Sequence, residues 1–153
     1  MIRRLFTQVV ETISATDMVS ADDREAALRL ATAVLMIDVA RADYVFDESE
    51  FDTVLKLIEA HFGLTAEQAA ELVIEAGARA EDLVDIHEFT KQLHDYLTED
   101  EKGQIVALLW QIAYADGRLD KYEDSLVLKI SDLLYVSRGR VMRLKHDAEL
   151  AAR

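Results

Sequence analysis

The sequence predicts a single all-α domain, and three observations lead to this prediction. Apolar residues recur at the helical spacing of three and four positions almost everywhere, whereas strict alternation is scarce. The chain has no proline and only five glycines, which disfavours folds rich in tight β-turns. Its 153 residues, 51% of them apolar, suit one domain with a full core, so we assign residues 1–153 to one compact unit.

Every predicted helix except the first begins at a residue whose side chain can cap free backbone N–H groups, often with an acidic residue three positions later. The first has no such signal, and is predicted from an amphipathic face that runs from Ile2 to Ile13. The second predicted helix begins at Ser20, with Asp23 three residues later, and ends at about Ala42. The third begins at Asp47, with Glu50 three residues later, and ends at Phe62, before Gly63. The fourth begins at Thr65 and ends at about Ala78.

Four further helices complete a fold of seven to eight. The fifth predicted helix follows the cap Asp85 and runs through Tyr96. The sixth follows Thr98, which pairs with Glu101, and ends at about Ala115, and the seventh follows Asp120, which pairs with Glu123, and ends at about Tyr135. The last helix follows Ser137. The aromatic residues Trp110, Tyr114, Phe62 and Tyr135 fall at positions typical of a helical core.

Composition and charge exclude several classes of function. With 30 acidic and 17 basic residues the net charge is −13, which disfavours binding to nucleic acid because phosphates would repel the protein. Without cysteine there are no disulfides, iron–sulfur clusters or thiol nucleophiles. We expect neither a signal peptide nor a transmembrane segment, and therefore a cytoplasmic protein. The face of Ile2–Ile13 would also suit a peripheral membrane helix, although packing on the core explains it as well.

The excess of negative charge lies in the middle of the chain. Residues 43–101 hold 17 acidic and 3 basic residues, a net charge of −14, whereas the remainder holds 13 and 14, a net charge of +1. This region can attract cations or a basic partner, or it can simply consist of solvated helix faces.

An internal repeat accounts for part of this acidity. Shifted by 73 residues, Leu35–Phe62 aligns with Leu108–Tyr135 without a gap, and nine of the 28 positions are identical. Each copy spans the end of one helix, a short loop and the next helix. Two copies of this kind predict a pseudo-symmetric pair of helix–loop–helix units.

Both copies contain the motif Ala-Asp-x-x-x-Asp-x-x-Glu, and six acidic residues follow from it: Asp43, Asp47, Glu50, Asp116, Asp120 and Glu123. The last two acids of each motif can cap and charge-stabilise a helix N-terminus without any further function. Asp43 and Asp116 instead stand at a helix C-terminus, where the dipole disfavours a carboxylate. Either backbone N–H groups in the loop or a bound cation could hold them, and their oxygens suit Ca²⁺, Mn²⁺ or Mg²⁺. The spacing differs from that of an EF-hand.

These motifs resemble those of the TerB-like family, which is associated with tellurite resistance. The second copy, Ala-Asp-Gly-Arg-Leu-Asp-Lys-Tyr-Glu at 115–123, is close to the family pattern, and the first departs from it with Tyr44 in place of glycine. The similarity covers about 24–141. It implies an all-helical fold, a cytoplasmic protein of a bacterial stress response, divalent metal at the six acids, and a protein partner in a membrane-associated complex.

Three functions remain open at this point. The first is a non-enzymatic module that binds a divalent cation or a protein partner through the acidic loops. The second is a metal-free protein-interaction scaffold. The third is a hydrolase that uses the carboxylates, which would require a deep cleft. The pair His87-Glu88 lacks the second histidine of a zinc-protease motif, because position 91 is lysine.

Overall fold

Helices account for nearly all of the chain that the structure, a computed structural model, describes, namely residues 21–42, 48–82, 86–115 and 119–152. Within these ranges there are seven helices and no strand, as predicted. They are α1 Ala21–Ala40, α2 Glu48–Phe62, α3 Ala66–Asp82, α4 Ile86–Tyr96, α5 Glu99–Ala113, α6 Lys121–Leu133 and α7 Arg138–Ala151. The predicted helix at Ile2–Ile13 and the caps at Ser20 and Asp85 lie outside the described residues.

Capping side chains set several helix starts where the sequence predicts them. At α5, the Glu101 amide donates to Thr98 Oγ1 at 3.1 Å and the Thr98 amide donates to Glu101 Oε1 at 2.9 Å, which forms a reciprocal capping box. Thr65 and Gln68 form the same pair of bonds at α3. The end of α3 was predicted one turn too early, because Ala80 is buried and packing extends the helix to Asp82.

Two groups of three helices surround the core. In the first group α1, α2 and α3 contact one another, and in the second α5, α6 and α7 do so. Helices α1 and α5 also pack together and join the groups, while α4 lies against α6. In α1 the seven consecutive residues 31–37 are all buried, so this helix is covered around its whole circumference.

The contacts between the groups are reciprocal, since α1 touches α6 and α2 touches α5. These are the contacts that a twofold pair of hairpins would make, because α1–α2 and α5–α6 are the aligned copies of the repeat. The pseudo-symmetry itself stays a prediction.

Charged side chains fix α7 to its neighbours. Lys145 Nζ donates to Asp124 Oδ1 on α6 at 2.8 Å, and the same ammonium lies 5.2 Å from the centre of the buried Trp110 ring on α5. Near the other end of α7 the guanidinium of Arg140 covers Gly103, where a β-carbon would collide with it. The colliding atoms are the far end of a flexible side chain, so a β-carbon at Gly103 would displace the guanidinium and not the backbone of α7.

Helices α2 and α6 end in the same type of turn, although the residue with the left-handed backbone differs. Gly63 has φ 65° and Tyr135 has φ 60°, both left-handed. After each, the next amide donates back across the turn, from Leu64 to the Glu59 carbonyl and from Val136 to the Ser131 carbonyl, both at 3.1 Å. The prediction that Tyr135 belongs to the core is wrong: the residue is 68% exposed, because the chain leaves the helix there and its side chain points outward.

Alanine substitutions at two glycines should change stability in opposite directions. We expect Gly63→Ala to lower the free energy of unfolding by about 1 kcal/mol, since only glycine adopts this φ without strain. We expect Gly77→Ala, in the interior of α3 with open space at the β-carbon, to raise it by roughly 0.5–1 kcal/mol. Urea unfolding of both variants measures the difference, and equal effects would contradict the assigned turn.

Candidate metal centre

A small cavity lies where the two aligned hairpins meet. Its volume is about 120 Å³, and its walls come from α1, α2, the end of α5 and α6. Sites for small organic ligands usually measure roughly 300–1,000 Å³, so this space suits an ion with a few water molecules better than a substrate. The residues that line it include Ala40, Ser49, Glu50, Thr53, Ala115 and Glu123.

Glu50 and Glu123 are the two acids that the structure brings together. They occupy equivalent positions of the repeat, and each stands three residues after the cap position that precedes its helix, α2 or α6. Glu123 is 9% exposed and Glu50 is half-buried. The N-terminal ends of two helices favour negative charge at these positions, which stabilises both carboxylates in this shared space.

Asp120 caps α6, as the sequence predicts. Its Oδ1 accepts a hydrogen bond from the Tyr122 amide at 2.7 Å, and its backbone is extended as a cap requires. One carboxylate oxygen of Asp120 is therefore engaged in capping the N-terminus of α6.

The other three predicted ligands, Asp43, Asp47 and Asp116, lie outside the described residues. Asp116 directly follows Ala115, which lines the cavity, and Asp47 precedes α2 by one residue. Among the residues that the structure does describe, no group of three His, Asp or Glu side chains is arranged to hold a metal ion. The assignment of the six acids as ligands thus stays a prediction.

Two hydroxyl residues of the cavity wall were not predicted from the sequence. Ser49 and Thr53 stand one turn apart on α2, and Thr53 Oγ1 donates to the Ser49 carbonyl at 3.0 Å. Thr53 is four residues after Ser49 and three after Glu50, so it neighbours both on the helix surface, and this spacing is the signal that could have identified it.

Asp38 on α1 is an acidic residue that lies outside the repeated motif. Burial raises the pKa of its carboxyl above the ordinary value of 3.8, and the positive charges of Arg41 and Lys129 only partly oppose this rise. Lys129 belongs to α6, so Asp38 lies in a contact between the two groups of helices.

The histidines show two kinds of environment. His87 is exposed on α4. His94 is half-buried and lies next to the buried Lys102, a contact that the sequence did not predict.

None of the helices in the described part of the chain is both long and apolar enough to cross a membrane.

Comparison with known proteins identifies one related family. The family model described as "Tellurite resistance protein TerB" matches residues 29–146, which is most of the chain. No curated protein and no solved structure matches the sequence.

Replacing Asp38 by asparagine should stabilise the protein at neutral pH. A carboxyl whose pKa is raised by folding stabilises the native state only below its unfolded pKa, and this contribution is lost as the pH rises through the folded pKa. Asparagine removes the cost of the buried charge, so we expect a gain of roughly 0.5–1 kcal/mol at pH 7 that shrinks towards pH 4.

Urea unfolding at both pH values measures this gain, with Asp147→Asn on the exposed face of α7 as the control. A loss of stability at pH 7 in Asp38→Asn would mean that attraction to Lys129 and Arg41 outweighs the cost of burial.

Proposed function

Because this chain belongs to the TerB family, we propose that it is a non-enzymatic helical module of a stress response that binds a divalent cation between its acidic loops. The observation that carries this proposal is the convergence of Glu50 and Glu123 on one small cavity. The two residues occupy equivalent positions of sequence copies 73 residues apart, and they reach this cavity from two different helices, α2 and α6.

The donor set fits Ca²⁺, Mn²⁺ or Mg²⁺. Carboxylates are the hard oxygen ligands that these ions prefer, and the hydroxyls of Ser49 and Thr53 can add neutral oxygens. Two carboxylates and two hydroxyls are fewer than the six to eight ligands that calcium takes, so we assign the rest to the other acids of the two motifs, Asp43, Asp47, Asp116 and Asp120, and to water. When bound, the cation would neutralise the charges of Glu50 and Glu123 and hold α2 to α6.

The family supplies the biological setting of the proposal. Membership associates the chain with tellurite resistance. We place the module in the cytoplasm, with a protein partner in a membrane-associated complex and without a role in binding nucleic acid. The net charge of −13 supports the last point, since a phosphate backbone would be repelled.

A titration with Ca²⁺ or Mn²⁺ tests metal binding. We expect amide NMR signals of 43–50 and 115–123 to shift, and the free energy of unfolding to rise with metal concentration, because the ion binds only the folded state. Glu123→Gln and Asp116→Ala should each weaken binding roughly tenfold, since affinity follows the number of charged ligands.

The control is Glu67→Gln, an exposed acid at the start of α3 that is not among the predicted ligands. Added metal should raise the free energy of unfolding of the wild type more than that of Glu123→Gln, because the variant binds the ion more weakly. If millimolar metal shifts neither loop, the metal assignment is wrong.

A metal-free interaction scaffold is the second candidate, and the outer face of α3 favours it. Glu67, Glu71 and Glu81 are exposed on this face, and Ile74 between them is 65% exposed. Their successive spacings of four, three and seven residues place them in one stripe along the helix. Such a stripe suits a basic partner segment with an apolar residue at its centre.

A binding assay with a defined partner separates the two candidates. We expect a scaffold to retain its partner in chelator, to release it at high salt, and to lose it in Glu71→Lys. Asp147→Lys, on the exposed side of α7, is the matched control. A partner released by chelator alone would favour the cation-dependent module.

A further inference from the structure

The outer face of α7 is both basic and apolar. Met142 and Leu150 are 43% and 50% exposed, and Arg138 and Arg143 are exposed as well. At 3.6 residues per turn these four positions fall within an arc of about 140°, with Asp147 at its edge. We call the four residues the basic stripe of α7.

The two arginines supply the positive charge that this face presents to solvent. Helix α7 contains four basic and two acidic residues, a net charge of +2, but Lys145 and Arg140 donate hydrogen bonds to groups on α6 and α5. Arg138 forms an ion pair with Asp132 at 2.9 Å, and both side chains are more than half exposed. An exposed pair of this kind contributes little to stability, so a partner carboxylate can compete for the guanidinium.

The outer face of α3 has the opposite charge and a similar design. This helix contains five acidic residues and one basic residue, a net charge of −4. Its acidic stripe, Glu67, Glu71, Ile74 and Glu81, surrounds one exposed apolar side chain with carboxylates, as the arginines of α7 surround Met142. At 1.5 Å per residue the stripes are about 21 Å and about 18 Å long, so they match in length as well as in charge.

The two stripes belong to different parts of the protein. Helix α3 packs in the first group of helices, against α1 and α2, and α7 packs in the second, against α5 and α6. In the described part of the chain five large apolar side chains are exposed, and three of them, Ile74, Met142 and Leu150, lie on these stripes. Exposed apolar surface within a charged rim is typical of a protein interaction site.

We propose that the basic stripe of α7 binds the acidic stripe of α3 in a second copy of the chain. The proposal names a partner for the outer face of α3, and in this respect it rests on the interaction scaffold considered above and not on metal binding. Each copy carries both surfaces, so the contact joins copies head to tail, and it extends into a chain or closes into a ring. One helix on one helix gives an interface below about 1,200 Å², so we expect weak, reversible association.

Charge favours this unlike pairing over a symmetric one. Two copies of α3 face to face would place carboxylates against carboxylates, and two copies of α7 would place guanidiniums against guanidiniums. Like charges that face each other across an interface suppress association. The pairing of α3 with α7 brings opposite charges together around the apolar residues Ile74 and Met142.

Sedimentation velocity of the intact protein in chelator, over a range of concentrations, tests the proposal. We expect the average mass of the wild type to rise with concentration. Ile74→Asp and Met142→Asp each place a carboxylate in the centre of one stripe, and each should weaken association at least about tenfold, because a charge would have to lose its water in the contact. Lys91→Gln on the exposed side of α4 makes the same change in net charge, and it should associate as the wild type does.

A mixture of the two aspartate variants gives the sharpest test. Ile74→Asp retains the basic stripe of α7, and Met142→Asp retains the acidic stripe of α3. We therefore expect the mixture to form a one-to-one complex and nothing larger, although neither variant associates strongly alone. Recovery in the mixture also shows that both variants are folded.

Several results would overturn the proposal. A wild type that stays monomeric at every concentration would do so even if neither variant folds. Association that survives in one or both variants would assign it to another surface or to a symmetric contact, and a mixture that fails to associate would exclude the unlike pairing. A monomeric wild type that binds a basic partner through Glu71 would overturn self-association but support the scaffold, and the use of chelator keeps all these results separate from metal binding.

Discussion

The burial of α1 against α5 is the constraint on which the rest of the structure depends. Neither helix has a polar face wide enough to meet water, since residues 31–37 of α1 are buried without interruption and α5 buries most of its length. Each must therefore be enclosed by other helices. Helices α2 and α3 cover α1, and α6 and α7 cover α5. This arrangement brings the beginnings of α2 and α6 towards each other, and with them Glu50 and Glu123.

Local signals in the sequence predict most helix starts because the chemistry of a cap is local. Thr98 and Glu101 satisfy each other's backbone N–H groups within four residues, and the Asp120 side chain accepts from the Tyr122 amide two residues later. Helix ends are less predictable where packing decides them. Burial of Ala80 extends α3, and Tyr135 takes a backbone conformation that its type seldom adopts. No local pattern marks that conformation in a tyrosine.

In the candidate site, too, some features could be predicted from the sequence and others could not. The repeat shows that Glu50 and Glu123 are equivalent, but it cannot show that they share one cavity, because that depends on how α1 and α5 cross. The contact of His94 with Lys102 is equally inaccessible from sequence: the two residues are eight positions apart on different helices, and the third partner, the Leu134 carbonyl, is 40 positions from His94. Pairing across helices follows from tertiary packing, which periodicity alone does not specify.

The position of Trp110 makes it an intrinsic fluorescence probe of the packing around α7. It is the chain's single tryptophan, it has no exposed surface, and the Lys145 ammonium lies over its ring while Asp124 holds that ammonium in place. An indole in such surroundings emits at short wavelength, and a neighbouring cation perturbs its excited state. Its fluorescence should therefore respond when α7 separates from α5 and α6.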